Sequence, residues 1–157
     1  MNKLIFGDID GVLNGRNTKD TVIGSDGRKY DGIEPDMMNR LKRIIDATDA
    51  NIIVSSTWRL HEEFMDHLEK KLGKYNTRIK GQTPTCYRNF GSYSERWEEI
   101  KRWFDENTHP DNYIILDDID YRMKENFGDH YFQTDVNIWL TDEIADKCIE
   151  FLNKETK

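Results

Sequence analysis

Three short apolar runs, Leu4-Ile5-Phe6, Ile52-Ile53-Val54 and Tyr113-Ile114-Ile115-Leu116, each break off abruptly into acidic or hydroxyl residues. Runs of this length without polar alternation are what strands buried on both faces of a parallel sheet require. Segments with helical spacing separate them. Pro35 suits a first helical turn, and Met38, Leu41, Ile44 and Ile45 carry that helix to about Thr48. Phe64, Leu68 and Leu72 mark a second helix, capped by the hydroxyls of Ser55-Ser56-Thr57 and stopped by Gly73. Ser92-x-x-Glu95 fits a capping box ahead of Trp97, Ile100, Trp103 and Phe104, and Thr141-Asp142-Glu143 opens a last helix with Ile144, Cys148, Phe151 and Leu152 inward. Residues 131–134 read as a final short strand. The alternation predicts an α/β fold: a doubly wound, Rossmann-like parallel sheet with helices on both faces.

A chain of 157 residues fits one domain with a real core, so a single domain over 1–157 is expected. Two stretches interrupt the alternation. Residues 14–34 are polar, and Ser25-Asp26-Gly27-Arg28 resembles a hairpin turn between arms at Val22-Ile23 and Lys29-Tyr30, which makes a small flap. Residues 74–93 read as a short insertion in which Arg78-Ile79-Lys80-Gly81 forms a strand or connector. The net charge of -7 argues against binding nucleic acid or membrane through overall charge, so any such partner must be gripped locally. No apolar run is long enough to cross a bilayer, no signal-peptide pattern is present, and Cys86 and Cys148 lack metal-site spacing. A cytoplasmic protein that does not engage membranes is expected. Composition and spacing leave its oligomeric state open.

In parallel sheets the ligand sits beyond the carboxyl ends of the strands. Asp8, Asp10, Ser55, Asp117 and Asp118 each follow an apolar run, so the predicted fold gathers them onto that rim. Taken singly they have plainer readings: an Asp-Gly turn, a helix cap, a solvated acidic loop. Taken together, several carboxylates on one rim repel one another unless a cation offsets them, and Mg2+ is the natural oxygen-seeking candidate. Two aspartates one residue apart at a strand end can divide the labour of phosphoryl transfer. Asp8 would attack phosphorus and form an aspartyl-phosphate, while Asp10 would protonate the leaving group and later activate water. Ser55 and a basic side chain would hold the remaining phosphate oxygens.

Asp8-Ile9-Asp10-Gly11-Val12-Leu13-Asn14, Ser55-Ser56-Thr57-Trp58-Arg59, Arg96 with Glu99-Ile100 and Trp103, and Ile115-Leu116-Asp117-Asp118 together resemble the haloacid dehalogenase-like (HAD) superfamily. Within it they are most similar to the phosphatase-like domains of bacterial and phage RNA-repair proteins. The resemblance spans most of the chain and implies a HAD-type phosphatase. Asp8 would be nucleophile and metal ligand, Asp10 the general acid/base with its carbonyl on magnesium, and Asp117 and Asp118 the acidic pair, Asp118 favoured for metal. It also implies substrate contacts from Ser55 and Ser56, with Arg96 as the basic member and Lys80 and Arg88 as rivals. Arg59 either touches substrate or packs with Trp58. Gly7 departs from the pattern, which usually has a bulkier residue there. The interruptions are too short for the cap domains of larger members, so an open site is expected, in keeping with polynucleotide ends as substrate and a role as a 3′-phosphatase in nucleic-acid repair. A nucleotidase or sugar phosphatase is the alternative. A receiver-type phosphoacceptor domain would place its aspartate on a middle strand after an early acidic cluster, the reverse of the order here.

Overall fold

The computed structural model describes residues 1–85 and 94–155. Its five-stranded sheet has the order β5-β4-β1-β6-β7, with every pairing parallel. The strands are β1 (Lys3–Gly7), β4 (Asn51–Val54), β5 (Ile79–Gln82), β6 (Asn112–Asp117) and β7 (Tyr131–Gln133). The flap segment carries β2 (Thr21–Ile23) and β3 (Lys29–Asp31) as a separate antiparallel hairpin.

Side chains alternate across the sheet, and each face is covered by helices. Ile5, Ile52, Val54, Ile114 and Leu116 pack with α1 (Pro35–Thr48), α2 (Glu62–Gly73) and α5 (Asp142–Leu152). Leu4, Phe6, Ile53 and Ile115 turn the other way, onto α3 (Arg96–Glu106) and α4 (Met123–Phe127). This is the doubly wound α/β arrangement that the apolar runs predict. The chain winds outward from β1 through β4 to β5, then crosses to β6 and β7, so the winding reverses between β1 and β6. Ligand crevices in open parallel sheets form at such reversals.

Several local expectations differ from the structure. The Ser56 hydroxyl oxygen caps a 3₁₀ turn, Thr57–Leu60, rather than α2, accepting from the Trp58 N–H at 3.1 Å. Helix α3 begins one residue after Glu95, which is itself the N-cap: its carboxylate takes the N3 N–H while the Glu98 side chain returns to the Glu95 N–H at 2.8 Å. A carboxylate serves there as well as a hydroxyl, because the orphan groups of a helix start are donors. The expected cap at Ser92 lies outside the described residues, as do Cys86 and Arg88. Helix α4 was not anticipated; five residues are too few to show a period. No helix among the described residues is long and apolar enough to cross a membrane.

Candidate functional site

The strand register builds the site. Gly7 pairs with Val54 on one side and Leu116 on the other, so one step further on the chain puts Ser55, Asp8 and Asp117 in a row at the carboxyl edge. Backbone bonds fix that row: the Asp8 N–H donates to the Leu116 carbonyl at 2.9 Å, and the Ser55 N–H to the Gly7 carbonyl at 3.0 Å. Residues more than a hundred positions apart thus become neighbours because the strands bearing them are adjacent.

Oxygen atoms of Asp8, Asp117 and Asp118 lie within 4.8 Å of one another. Arg96, the first residue of α3, faces them: its Nη1 is 3.1 Å from Asp8 Oδ1 and 2.7 Å from Asp117 Oδ2. Asp117 also accepts the Ile119 N–H on Oδ1 at 3.1 Å. With both oxygens engaged, Asp117 reads as an anchor, while part-buried Asp118 is better placed to offer an oxygen to an ion. Gly11 makes room for it. Its backbone is left-handed, at φ +83°, and a Cβ there would overlap the Asp118 carboxylate. Gly11→Ala is therefore expected to cost about 1–3 kcal/mol through strain at that φ and to displace Asp118. A thermal melt with and without Mg2+ checks this: the variant melts lower and gains less from the metal than the parent.

The electrostatics favour a cation. Burial pushes the Asp8 carboxyl well above the usual carboxylate range, and the Asp117 charge adds to this against the opposing pull of Arg96. Burial and Asp117 likewise raise Asp118. The arrangement fits a divalent ion: three converging carboxylates face one guanidinium, and fully buried Ser55 has a side-chain oxygen with no hydrogen-bond partner among the described residues. An orphaned buried hydroxyl costs free energy unless a ligand completes it. Because the folded carboxyls hold protons more tightly than unfolded ones, metal-free stability is full at pH below the ordinary carboxylate value. It is lost as pH rises through the raised values. A divalent ligand reverses the loss. At a hundredfold excess over Kd it contributes about 2.7 kcal/mol, a Tm rise of roughly 5–10 °C for a domain this size. Melts at about pH 5 and about pH 7.5 should show a larger Mg2+ effect at the higher pH.

The other sequence-derived candidates divide. Asp10 is exposed, and its Oδ1 accepts from Asn14 Nδ2 at 2.9 Å and Trp58 Nε1 at 3.1 Å. Arg59 is turned inward: Nε donates to the Thr83 carbonyl at 2.9 Å, Nη1 to the Ser56 carbonyl at 2.7 Å and Nη2 to Glu99 Oε2 at 2.6 Å. Lys80 reaches the Asn2 side chain at 3.3 Å, beside the amino-terminal end of β1 and away from the acidic row. Arg88 lies outside the described residues. Roles for Asn14, Trp58 and Glu99 were not foreseen, although all three stand inside the quoted motifs. A buried indole reads as core by spacing, and its N–H as a donor could be found only by asking where such a group is satisfied.

A cleft of about 640 Å³ opens over these residues, lined among others by Asp8, Asp10, Arg96 and Asp118. Exposed Leu60, Ile119 and Tyr121 also line it, and no described residue of 14–34 does.

No curated protein sequence matches the chain. A solved structure from Vibrio cholerae, of a protein designated a 3-deoxy-D-manno-octulosonate 8-phosphate phosphatase, shares the fold. It has 12% identity and a TM-score of 0.51, over 99% of this chain and 88% of that one. Residues 4–145 match the family described as "HAD domain in Swiss Army Knife RNA repair proteins". With its motifs, sheet and acidic row in agreement, the chain belongs to this HAD family.

Proposed function

We propose that the protein is a Mg2+-dependent phosphomonoesterase that works through an aspartyl-phosphate on Asp8, with polynucleotide 3′-phosphate ends as its substrate. The observation that carries the reading is the meeting of Asp8, Asp117 and Asp118 around Arg96 at the point where the sheet winding reverses.

The residues divide the reaction as follows. Asp8 attacks phosphorus; a new oxygen–phosphorus bond forms on its carboxylate as the bond to the leaving oxygen breaks. Asp10, protonated at this stage, transfers its proton to that oxygen. Asp10 then takes a proton from water as the water oxygen attacks phosphorus, which releases inorganic phosphate and returns Asp8. Arg96 and the Ser55 hydroxyl hold phosphate oxygens. Arg59, bonded to Glu99, lines the cleft, and buried Ser56 holds the Trp58 N–H behind it. Asp8, Asp118 and the Asp10 carbonyl would hold the magnesium, with Asp117 beside them. When bound, the ion offsets charge on the attacking carboxylate and the phosphate.

A polymer end is favoured because the hairpin docks away from the cleft: Tyr30 packs on Phe64 of α2, with ring centroids 5.3 Å apart, and the Ser25 N–H donates to Glu63 at 2.9 Å. The family's association with RNA repair points the same way. Exposed Tyr121 at the mouth offers a face on which a terminal base can stack. The alternative, a small sugar phosphate, takes its support from the Vibrio cholerae fold relative's designation. A phosphate-release screen with Mg2+ separates them. It compares 3′- and 5′-phosphorylated oligonucleotides, mononucleotides, sugar phosphates and phosphopeptides. Preference for a 3′-phosphorylated end supports the reading; turnover confined to sugar phosphates overturns its substrate.

A further inference from the structure

The side chains around Asp10 differ in kind from those around Asp8. Asp8 and Asp117 share a cation, Arg96, whereas the two donors on Asp10 Oδ1 are neutral N–H groups. Both donors are buried and held by further contacts. Trp58 is 3% exposed and packs on Phe64, ring centroids 5.2 Å apart; its only polar atom ends on Asp10. Asn14 is 1% exposed, and the same Nδ2 that meets Asp10 also donates to the Gly32 carbonyl at 2.7 Å, while Asn14 Oδ1 accepts from the Gly11 N–H at 3.3 Å.

We infer that Trp58 and Asn14 are positioning residues for the proton-transfer step: they jointly grip Asp10 Oδ1, so that Oδ2 alone is presented to the leaving oxygen and then to water. This rests on the phosphatase reading above. The two grips come from independent elements, the turn after β4 and the loop after β1, so the carboxylate cannot rotate about its final bond without breaking one of them. A mobile acid spends part of its time misaligned, and small misplacements are costly in rate. The Asn14 link also ties the acid to the base of the hairpin at Gly32, which Asp20 fixes in turn: its carbonyl accepts the Gly32 N–H and its Oδ2 the Ile33 N–H, each at 2.9 Å.

The test exploits leaving-group chemistry. An alkyl leaving oxygen needs a proton as it departs, whereas p-nitrophenolate leaves without one. Trp58→Phe keeps the ring and deletes the donor. It is expected to lower kcat on a 3′-phosphorylated oligonucleotide on the order of tenfold, with KM little changed, since a placed acid contributes about 10²–10⁴ in rate. The first-turnover burst of p-nitrophenolate from p-nitrophenyl phosphate, which precedes water attack, should change in rate less than about threefold, because only the later hydrolysis of the aspartyl-phosphate needs the aligned carboxylate there. Asn14→Ala should behave similarly, with a melting curve to account for its added loss at Gly32. Equal loss in the first-turnover rate on both substrates, or no loss on either, at unchanged melting temperature overturns the inference. Wild-type turnover of both substrates is the separate control for the phosphatase reading. A readout that needs no turnover is the indole N–H resonance absent from Trp58→Phe: a shift in Asp10→Ala supports the grip, and an unmoved resonance overturns it.

Discussion

Asp8→Asn is expected to lower Mg2+-dependent phosphate release by at least about 10³-fold, the scale on which removal of a covalent nucleophile acts, and at the same time to raise the melting temperature of the metal-free protein. The two effects share one origin. Asp8 is 5% exposed beside Asp117 and Asp118, so its charge is held at a cost that burial imposes and Arg96 only partly offsets. The amide keeps the shape and removes the charge; functional residues often cost stability in this way. Steady-state assays and calorimetry on the same preparation check both halves. Activity lost together with stability would mean that Asp8 is a structural residue.

The largest stability effect is expected at Glu99, not in the acidic row. Glu99→Ala would strand Arg59, and loss of one member of a buried ion pair costs about 3–5 kcal/mol. Burial works against both partners, holding the Arg59 guanidinium below its usual value and the Glu99 carboxyl above its own, so each depends on the other, Arg59 also on neutral acceptors and Glu99 on a Ser94 hydrogen bond and the nearby Arg96 charge. Arg59 spends its remaining donors on the Thr83 and Ser56 carbonyls, which ties the ends of β5 and β4 to α3. Glu99→Gln, which retains an acceptor, should lose less. Urea denaturation with an unchanged m-value measures the difference.

The parts of this molecule legible in the sequence are those fixed by local pattern. β1, β4 and β6 each carry a short apolar run, Leu4 to Phe6, Ile52 to Val54 and Tyr113 to Leu116, followed by polar residues, so both their burial and the edge at which their chemistry collects could be read directly. The register then makes neighbours of Ser55, Asp8 and Asp117 with no further information. Arg96 could be nominated among basic residues, but its contact with Asp8 and Asp117 depends on where α3 starts, and that start is set by the Glu95–Glu98 cap. Arg59 illustrates the limit. Its partner Glu99 is 40 residues away on another element, and nothing in local spacing distinguishes an arginine reaching into the cleft from one folded back against its wall. Trp58 was ambiguous for the opposite reason: its ring fills core as its spacing suggests, while its single N–H serves the site.

A phosphoryl group resting on Asp8 is the intermediate through which every proposed step passes. Acid quenching of the enzyme during turnover with Mg2+, followed by peptide mass spectrometry, tests it most directly. The expected result is one phosphoryl group on the peptide containing Asp8, absent from Asp8→Asn and accumulating in Asp10→Asn with a p-nitrophenyl leaving group. Turnover with no phosphorylated peptide, or with the phosphoryl group on another residue, would contradict it.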